Sequence, residues 1–196
     1  AALGNPLCLG TTPFTGSVTG AIVLCKRGSN ARVEKSQAVS AAGGVGMGLY
    51  NAVAPQATVT DNHYVPSVHI TNPDGQAVLA YIASAGSAAT ASLGSASRVL
   101  AQGSVMADFS SRGPNRYSED FITPDITGPG VNILAGQTPT PVSGPAGQYF
   151  QAISGTSMSA PHIAGIYALV KQAHPDWTPA EAKSALMTTA RQNVTK

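Results

Sequence analysis

Residues 153–165, Ile-Ser-Gly-Thr-Ser-Met-Ser-Ala-Pro-His-Ile-Ala-Gly, contain the side chain best suited to covalent chemistry. Ser157 stands between Gly-Thr and the beginning of an apolar stretch that predicts a helix. The first turn of a helix has N–H groups without intrahelical acceptors, and its dipole favours negative charge. A serine held there can attack a carbonyl carbon while its own N–H helps to hold the resulting oxyanion. The alternative role for a serine at a helix start is a helix cap.

The same block resembles the nucleophile motif of the subtilisin-like serine proteases, Gly-Thr-Ser-Met-(Ala/Ser)-x-Pro-His-(Val/Ile)-Ala-Gly. The resemblance implies that Ser157 is the nucleophile of a serine endopeptidase that hydrolyses peptide bonds through an acyl-enzyme, with its backbone N–H in the oxyanion hole. It implies supporting roles for Gly155, Thr156, Pro161 and His162. The expected substrate is a protein or peptide, and no cofactor is expected.

A serine hydroxyl needs a base within hydrogen-bond reach and a carboxylate that orients this base. His162 lies five residues beyond Ser157 on the same predicted helix, which puts its ring out of easy reach of the hydroxyl. In the family this histidine is a packing residue. The other histidines are expected to be structural or solvated; they are His63, His69 and His174.

Two carboxylates, Asp108 and Asp125, match family positions with structural or turn roles and have no histidine partner in the pattern. The family runs Asp, then His, then Ser along the chain. The resemblance therefore implies that the triad Asp and His, and the Asn of the oxyanion hole, belong to a missing N-terminal part of the catalytic domain. Ala1 is not an initiator Met. We expect a C-terminal part of the domain that is inactive alone.

Composition restricts the class of protein further. Of the 196 residues, 43% are hydrophobic and 10% are charged, against roughly 25% charged in an average soluble domain. Such a surface relies on hydroxyls and amides, which suits a secreted, extracellular protein. The net charge is +2 and the basic residues are scattered, so nothing indicates nucleic-acid binding. No stretch approaches the roughly 20 apolar residues of a membrane-spanning helix, and no membrane partner is expected.

Two cysteines, Cys8 and Cys25, are present. An even count in a chain of this composition fits a disulfide formed in an oxidising compartment, and two buried free thiols are the alternative. No histidine lies at ligand spacing from either sulfur, and the acidic residues form no close cluster, so no metal site is predicted.

The first half of the chain predicts short strands alternating with helices. The run Gly-Ala-Ile-Val-Leu-Cys is short, apolar and β-branched, which is typical of a buried strand. Ser29 or Asn30 is the predicted cap of the helix that follows. The predicted elements are strands at 20–25, 45–51, 65–70 and 90–99, and helices at about 31–42 and from 72 onward.

This order resembles the protease-associated domain that is inserted in many subtilases. The matching motifs are Gly-x-Ile-Val-Leu-Cys-x-Arg-Gly at 20–28, Val-Glu-Lys at 33–35, Ala-Gly-Gly-Val-Gly-Met at 42–47, Val-Pro-Ser-Val-His-Ile at 65–70 and Asp-Gly at 74–75. The resemblance implies a protease-associated domain over residues 1–100 and a Cys8–Cys25 disulfide. A homodimer through this domain, or a role as a protein-interaction module, is the alternative function.

Residues 101–196 are predicted to be the C-terminal part of a subtilisin-like domain, whose fold is a doubly wound parallel α/β sheet. The segments Phe-Ser-Ser-Arg-Gly-Pro at 109–114 and Ile-Thr-Pro-Asp-Ile-Thr-Gly-Pro-Gly-Val at 122–131 resemble family blocks, with Gly128 where Ala is usual. The helix at 159–172 is so apolar that burial is expected. Thr-Pro-Ala-Glu at 178–181 predicts a capping box and the start of a last helix.

Overall fold

The computed structural model describes residues 3–118 and 120–195. Helices and strands are mixed along the chain, which confirms the predicted mixed α/β class. The chain divides into two compact units. The first unit comprises Ala1–Val99 and Leu134–Ala152, and the second unit comprises Leu100–Ile133 and Ile153–Lys196. The described strands and helices are β1 (Ile22–Lys26), β2 (Gly46–Tyr50), β3 (Ser67–Ile70), β4 (Ile133–Gly136), β5 (Phe150–Ile153), α1 (Arg32–Ala41), α2 (Asn72–Ala85), α3 (Thr156–Ala173) and α4 (Pro179–Thr189).

The first unit is built on a parallel sheet in the order β1-β2-β3. Every residue of β2 is buried, since this strand lies between two others and helix α1 packs against it. A parallel strand with both faces covered reads as a continuous apolar run, and this is why its position could be predicted. Strands β4 and β5 form a separate two-stranded sheet that the sequence analysis did not predict.

The core of the first unit forms around a disulfide. Cys8 and Cys25 are bonded, as the resemblance implied, and both are fully buried. The other buried members of the cluster are apolar: Val18, Val23, Val39, Met47 and Leu49. The bond therefore ties the chain before β1 directly to the sheet at the centre of the core.

A buried lysine holds the same N-terminal segment. Lys35 of α1 is fully buried, and its Nζ donates hydrogen bonds to the carbonyl of Leu7 at 2.7 Å and to Oδ1 of Asn30. Burial lowers the pKa of Lys35 to about 8, although the nearby Glu34 carboxylate opposes this shift. The hydrogen bonds replace the water that the ammonium loses.

Two local expectations for the first unit were wrong. The residue that caps α1 is Ala31, whose N–H donates to the Glu34 carboxylate at 3.1 Å, whereas Asn30 is used to bind Lys35. Residues 90–99 form no strand: 91–99 are all exposed, and alternation without a neighbouring strand to pair with does not make a sheet.

The second unit contains α3 and α4. The predicted capping box is confirmed: Thr178 accepts a hydrogen bond from the Glu181 N–H at 3.3 Å, and Glu181 accepts one from the Thr178 N–H at 2.7 Å. Asp125 forms an ion pair with Lys183 of α4 at 2.8 Å. Both contacts fix the start and the orientation of α4 within this unit.

Helix α3 is not buried, which corrects the expectation from its apolar sequence. None of its residues is buried, and Leu169 is 66% exposed. Among the described residues of the second unit, Ala182 alone is buried. An apolar sequence indicates that a helix can pack against another element, but burial requires that element to be present. Within the described residues, no helix or sheet buries α3. No helix in the described part of the chain is long and apolar enough to cross a membrane.

Candidate active site

Ser157 lies in the first turn of α3, at the second helical position after the N-cap Gly155. The helix begins at Thr156, three residues earlier than predicted, so the serine is inside the helix rather than before it. Its side chain is exposed. Within the described residues of the second unit, its hydroxyl makes no hydrogen bond, so it is not a helix cap here.

The backbone N–H groups around this serine differ in their partners. The N–H of Met158 and that of Ser159 point back to the Gly155 carbonyl at 3.0 and 3.4 Å. Among the described residues, the N–H groups of Thr156 and Ser157 have no acceptor. An exposed hydroxyl thus stands next to unpaired N–H groups at the positive end of a helix dipole, which is an arrangement that can hold an oxyanion.

The other motif residues shape this helix start. Gly155 is in an extended conformation that leads from β5 into α3. Pro161 has no N–H, so the carbonyl of Ser157 receives no hydrogen bond from the next turn. His162 Nδ1 lies 2.8 Å from the carbonyl of Met158, which makes Nδ1 the donor. The ring is therefore bonded to the backbone of its own helix.

A loop that the sequence analysis did not connect with the serine lies along the helix start. The N–H of Gly155 donates to the carbonyl of Gly130 at 2.8 Å. The Ser154 hydroxyl accepts from the N–H of Asn132 at 2.8 Å and donates to Asn132 Oδ1 at 3.2 Å. The family block at 122–131 was the available signal, but a sequence motif does not show which segment it contacts.

No base or orienting carboxylate for Ser157 comes from the second unit's described residues. His174 is exposed and stacks on the Trp177 ring at 3.9 Å. Asp125 is paired with Lys183, and Asp108 lies in a turn closed by other backbone groups. The structure thus brings the motif residues together around an exposed serine, and the described histidines and aspartates of this unit do not contact it.

His63 in the first unit is held by a buried serine. Ser36 Oγ donates its one hydrogen to the Val33 carbonyl at 2.7 Å and accepts from the N–H of Tyr64 at 3.2 Å. The His63 Nδ1, 3.0 Å from the same oxygen, must therefore be the donor. This accounting places a proton on Nδ1 of His63.

His69 is bonded through both ring nitrogens. Its Nε2 lies 2.8 Å from Oδ1 of Asn51, and its Nδ1 lies 3.0 Å from the nitrogen and 3.1 Å from the carbonyl oxygen of Val59. A cavity of about 390 Å³ lies beside His63. The residues that line the cavity are Asp61, Asn62, His63, Tyr64, Val65, Pro66, Ser67, Pro145 and Gln148.

Burial is the main cause that lowers the pKa of both His63 and His69 from 6.5. The hydrogen bond to the Val59 backbone raises the pKa of His69, and the Asp61 carboxylate raises the pKa of both histidines. The Arg32 guanidinium lowers both pKa values, and Arg27 lowers that of His69. Arg32 and Asp61 are themselves paired through two hydrogen bonds of 2.5 and 2.9 Å. The site therefore favours neutral imidazoles.

Acidification is expected to destabilise the first unit. The folded-state pKa values are lowered, so the unfolded chain binds more protons below pH 6.5. Stability is then complete above 6.5 and is lost as pH falls toward the folded-state values. Amide exchange of the β2 residues, measured between about pH 7.5 and about pH 5 with correction for intrinsic rates, should report this loss.

In the variant His63→Gln/His69→Gln this acid-induced loss should be smaller, whereas His174→Gln, which changes an exposed ring, should leave it unchanged. An equal loss in the double variant and the wild type would show that other groups control the acid sensitivity.

Three features together are typical of subtilisin-like serine proteases: a serine in the first turn of a helix, the Gly-Thr-Ser-Met-Ser motif and a mixed α/β fold. A sequence model of the peptidase S8, or subtilase, family matches residues 8–196. The chain belongs to the subtilase family. This finding supports the resemblance to subtilisin-like proteases on which the sequence analysis relied.

The relatives are plant subtilisin-like proteases. Subtilisin-like protease SBT1.4 of Arabidopsis thaliana is 45% identical over 195 residues, which cover 95% of this chain and 25% of the relative. SBT1.7 of the same plant is 43% identical over 199 residues, covering 96% and 26%. SBT1.3, also from Arabidopsis thaliana, is 46% identical over 181 residues, covering 88% and 23%. The chain spans about a quarter of the length of these relatives.

Proposed function

We propose that this chain carries the nucleophile of a serine endopeptidase, and that the nucleophile is Ser157. Its Oγ attacks the carbonyl carbon of a peptide bond, and its proton passes through a general base to the departing amine. Water then attacks the acyl-enzyme, releases the acid and restores the hydroxyl. The backbone N–H of Ser157 forms part of the oxyanion hole.

The observation that carries this proposal is the environment of Ser157 in α3. The hydroxyl is exposed, and the N–H groups of Thr156 and Ser157 have no acceptor in the described part of the chain. First-turn N–H groups that no side chain caps are available to hold an oxyanion beside the hydroxyl. Membership of a protease family supports the same reaction.

The general base and the orienting carboxylate, we propose, are supplied by a polypeptide segment other than these 196 residues. Two observations support this. The histidines of the second unit are exposed and do not contact Ser157, and the apolar face of α3 is uncovered, with Leu169 66% exposed. The N-terminal part of the catalytic domain would complete the doubly wound sheet and cover this face. By itself the chain should therefore be inactive.

On this proposal residues 1–100 form a protease-associated domain, and residues 101–196 belong to the peptidase domain. The parallel three-stranded sheet and the Cys8–Cys25 disulfide support an independently organised domain. The disulfide and the low content of charged residues, 10%, support secretion. Homodimerisation through this domain is a further part of the proposal.

Labelling with a fluorophosphonate probe tests the proposed function. The complete polypeptide that contains these residues should be modified at Ser157, as located by mass spectrometry of the labelled peptide. The 196-residue chain alone should be labelled at least ~10³-fold more slowly, because an unassisted serine hydroxyl is a poor nucleophile.

Equal labelling of the two samples would show that the chain contains its own base. No labelling of Ser157 in the complete polypeptide would overturn the proposed function. The alternative would then be that the first unit is an interaction module, and sedimentation of the chain would show whether it dimerises.

A further inference from the structure

The contact between Ser159 and Gly128 explains more than helix stability. We propose that Ser159 and residues 128–130 form a brace that sets the position of Ser157, and that Ser159 is a positioning residue of the active site. The inference rests on the proposed function of Ser157 as the nucleophile. It concerns a side chain whose hydrogen bonds go to Gly128 and not to Ser157.

The Ser159 hydroxyl binds both backbone groups of one residue. It donates its hydrogen to the carbonyl of Gly128 at 3.0 Å and accepts from the N–H of Gly128 at 3.1 Å. A single hydroxyl can donate once and accept from more than one donor, so both roles are filled together. Any sliding of the loop along the helix breaks both hydrogen bonds, and therefore this pair fixes the register between them.

The two glycines of the loop permit this close approach. A Cβ on Gly128 would lie 3.0 Å from Ser159 Oγ and 3.1 Å from Cδ1 of Ile163. A Cβ on Gly130 would lie 2.9 Å from the carbonyl oxygen of Gly155, closer than real Cβ atoms come to backbone. Gly130 also accepts the hydrogen bond from the Gly155 N–H at 2.8 Å. The missing side chains allow the loop to lie directly on the helix start.

The brace anchors both sides of the nucleophile. Gly155 precedes Ser157 by two residues and is bonded to Gly130, while Ser159 follows it by two residues and is bonded to Gly128. The hydroxyl and the N–H of Ser157 thus lie between two residues, Gly155 and Ser159, that are both hydrogen-bonded to the same loop. A shift of about 1 Å at a reacting group can cost on the order of 10²-fold in rate, so this fixation has a kinetic consequence.

Steady-state kinetics and fluorophosphonate labelling of the complete polypeptide test the proposal. In Ser159→Ala we expect kcat and the labelling rate of Ser157 to fall about tenfold, with KM within about twofold of the wild type. Gly130→Ala, which displaces the loop without removing a side-chain hydrogen bond, should reduce kcat at least as much. A matched control is Thr188→Ala, whose lost hydroxyl donates to the Ser184 carbonyl of α4 at 2.8 Å; it should change neither constant.

Amide exchange provides a readout that does not need activity. In Ser159→Ala the Gly155 N–H, bonded to Gly130 in the wild type, should exchange about tenfold faster, while the amides of α4 keep their rates. Unchanged exchange at Gly155 in Ser159→Ala overturns the brace. So does a kcat of Ser159→Ala equal to that of the wild type, provided that the wild type labels at Ser157. Failure of the wild type to label overturns the proposed function instead, and the exchange result then still decides whether the brace exists.

Discussion

Replacing Ser157 by alanine in the complete polypeptide should remove fluorophosphonate labelling at this position and lower peptide hydrolysis by roughly 10³-fold or more. The substitution removes only the attacking oxygen. Alanine favours a helix, and the Ser157 hydroxyl makes no hydrogen bond within the described residues of its unit, so α3 should keep its stability. A large loss of rate without a loss of structure, together with the loss of labelling at this position, is what a nucleophile predicts.

The control for this prediction is Ser184→Ala, since Ser184 is an exposed serine in α4 of the same unit. It should retain full activity. Circular dichroism and the thermal midpoint of both variants should match the wild type. Hydrolysis that persists in Ser157→Ala would require a different nucleophile, and loss of activity together with loss of helix signal would assign the serine a structural role.

Removal of the Cys8–Cys25 disulfide should destabilise the first unit by about 3 kcal/mol, the loop-closure contribution for a separation of 17 residues. Both sulfurs are fully buried in the core, so the Cys8→Ala/Cys25→Ala variant also loses packing there. In amide exchange of β2, a strand of the same core, about 3 kcal/mol corresponds to an acceleration of about 10²-fold.

Reduction provides an independent comparison for the disulfide. The wild-type chain unfolded and refolded with a reductant should approach the exchange rates of the double-alanine variant, and the reductant should leave that variant unaffected. Identical β2 protection in the oxidised and reduced wild type would mean that packing and the hydrogen bonds of the N-terminal segment, such as that from Lys35 to Leu7, are sufficient without the covalent bond.

Local sequence was enough to predict those elements whose structure depends on residues close together in the chain. The Thr178–Glu181 capping box specifies its own hydrogen bonds, and it predicted the start of α4 correctly. The apolar run at β1 and the fully buried β2 followed from composition over a few residues. The Gly-Thr-Ser-Met-Ser motif indicated the family for the same reason, because the motif is a continuous segment.

Only the tertiary structure decided the features that join distant segments. Ser159 and Gly128 are 31 residues apart, and no property of either residue indicates the other. Lys35 is buried although lysines favour the surface, because Leu7 supplies an acceptor from a distant segment. Helix α3 is apolar but exposed, and residues 90–99 alternate but form no strand. Periodicity states what an element can bury or pair with, whereas burial and pairing need a partner, and a partner is a property of the fold.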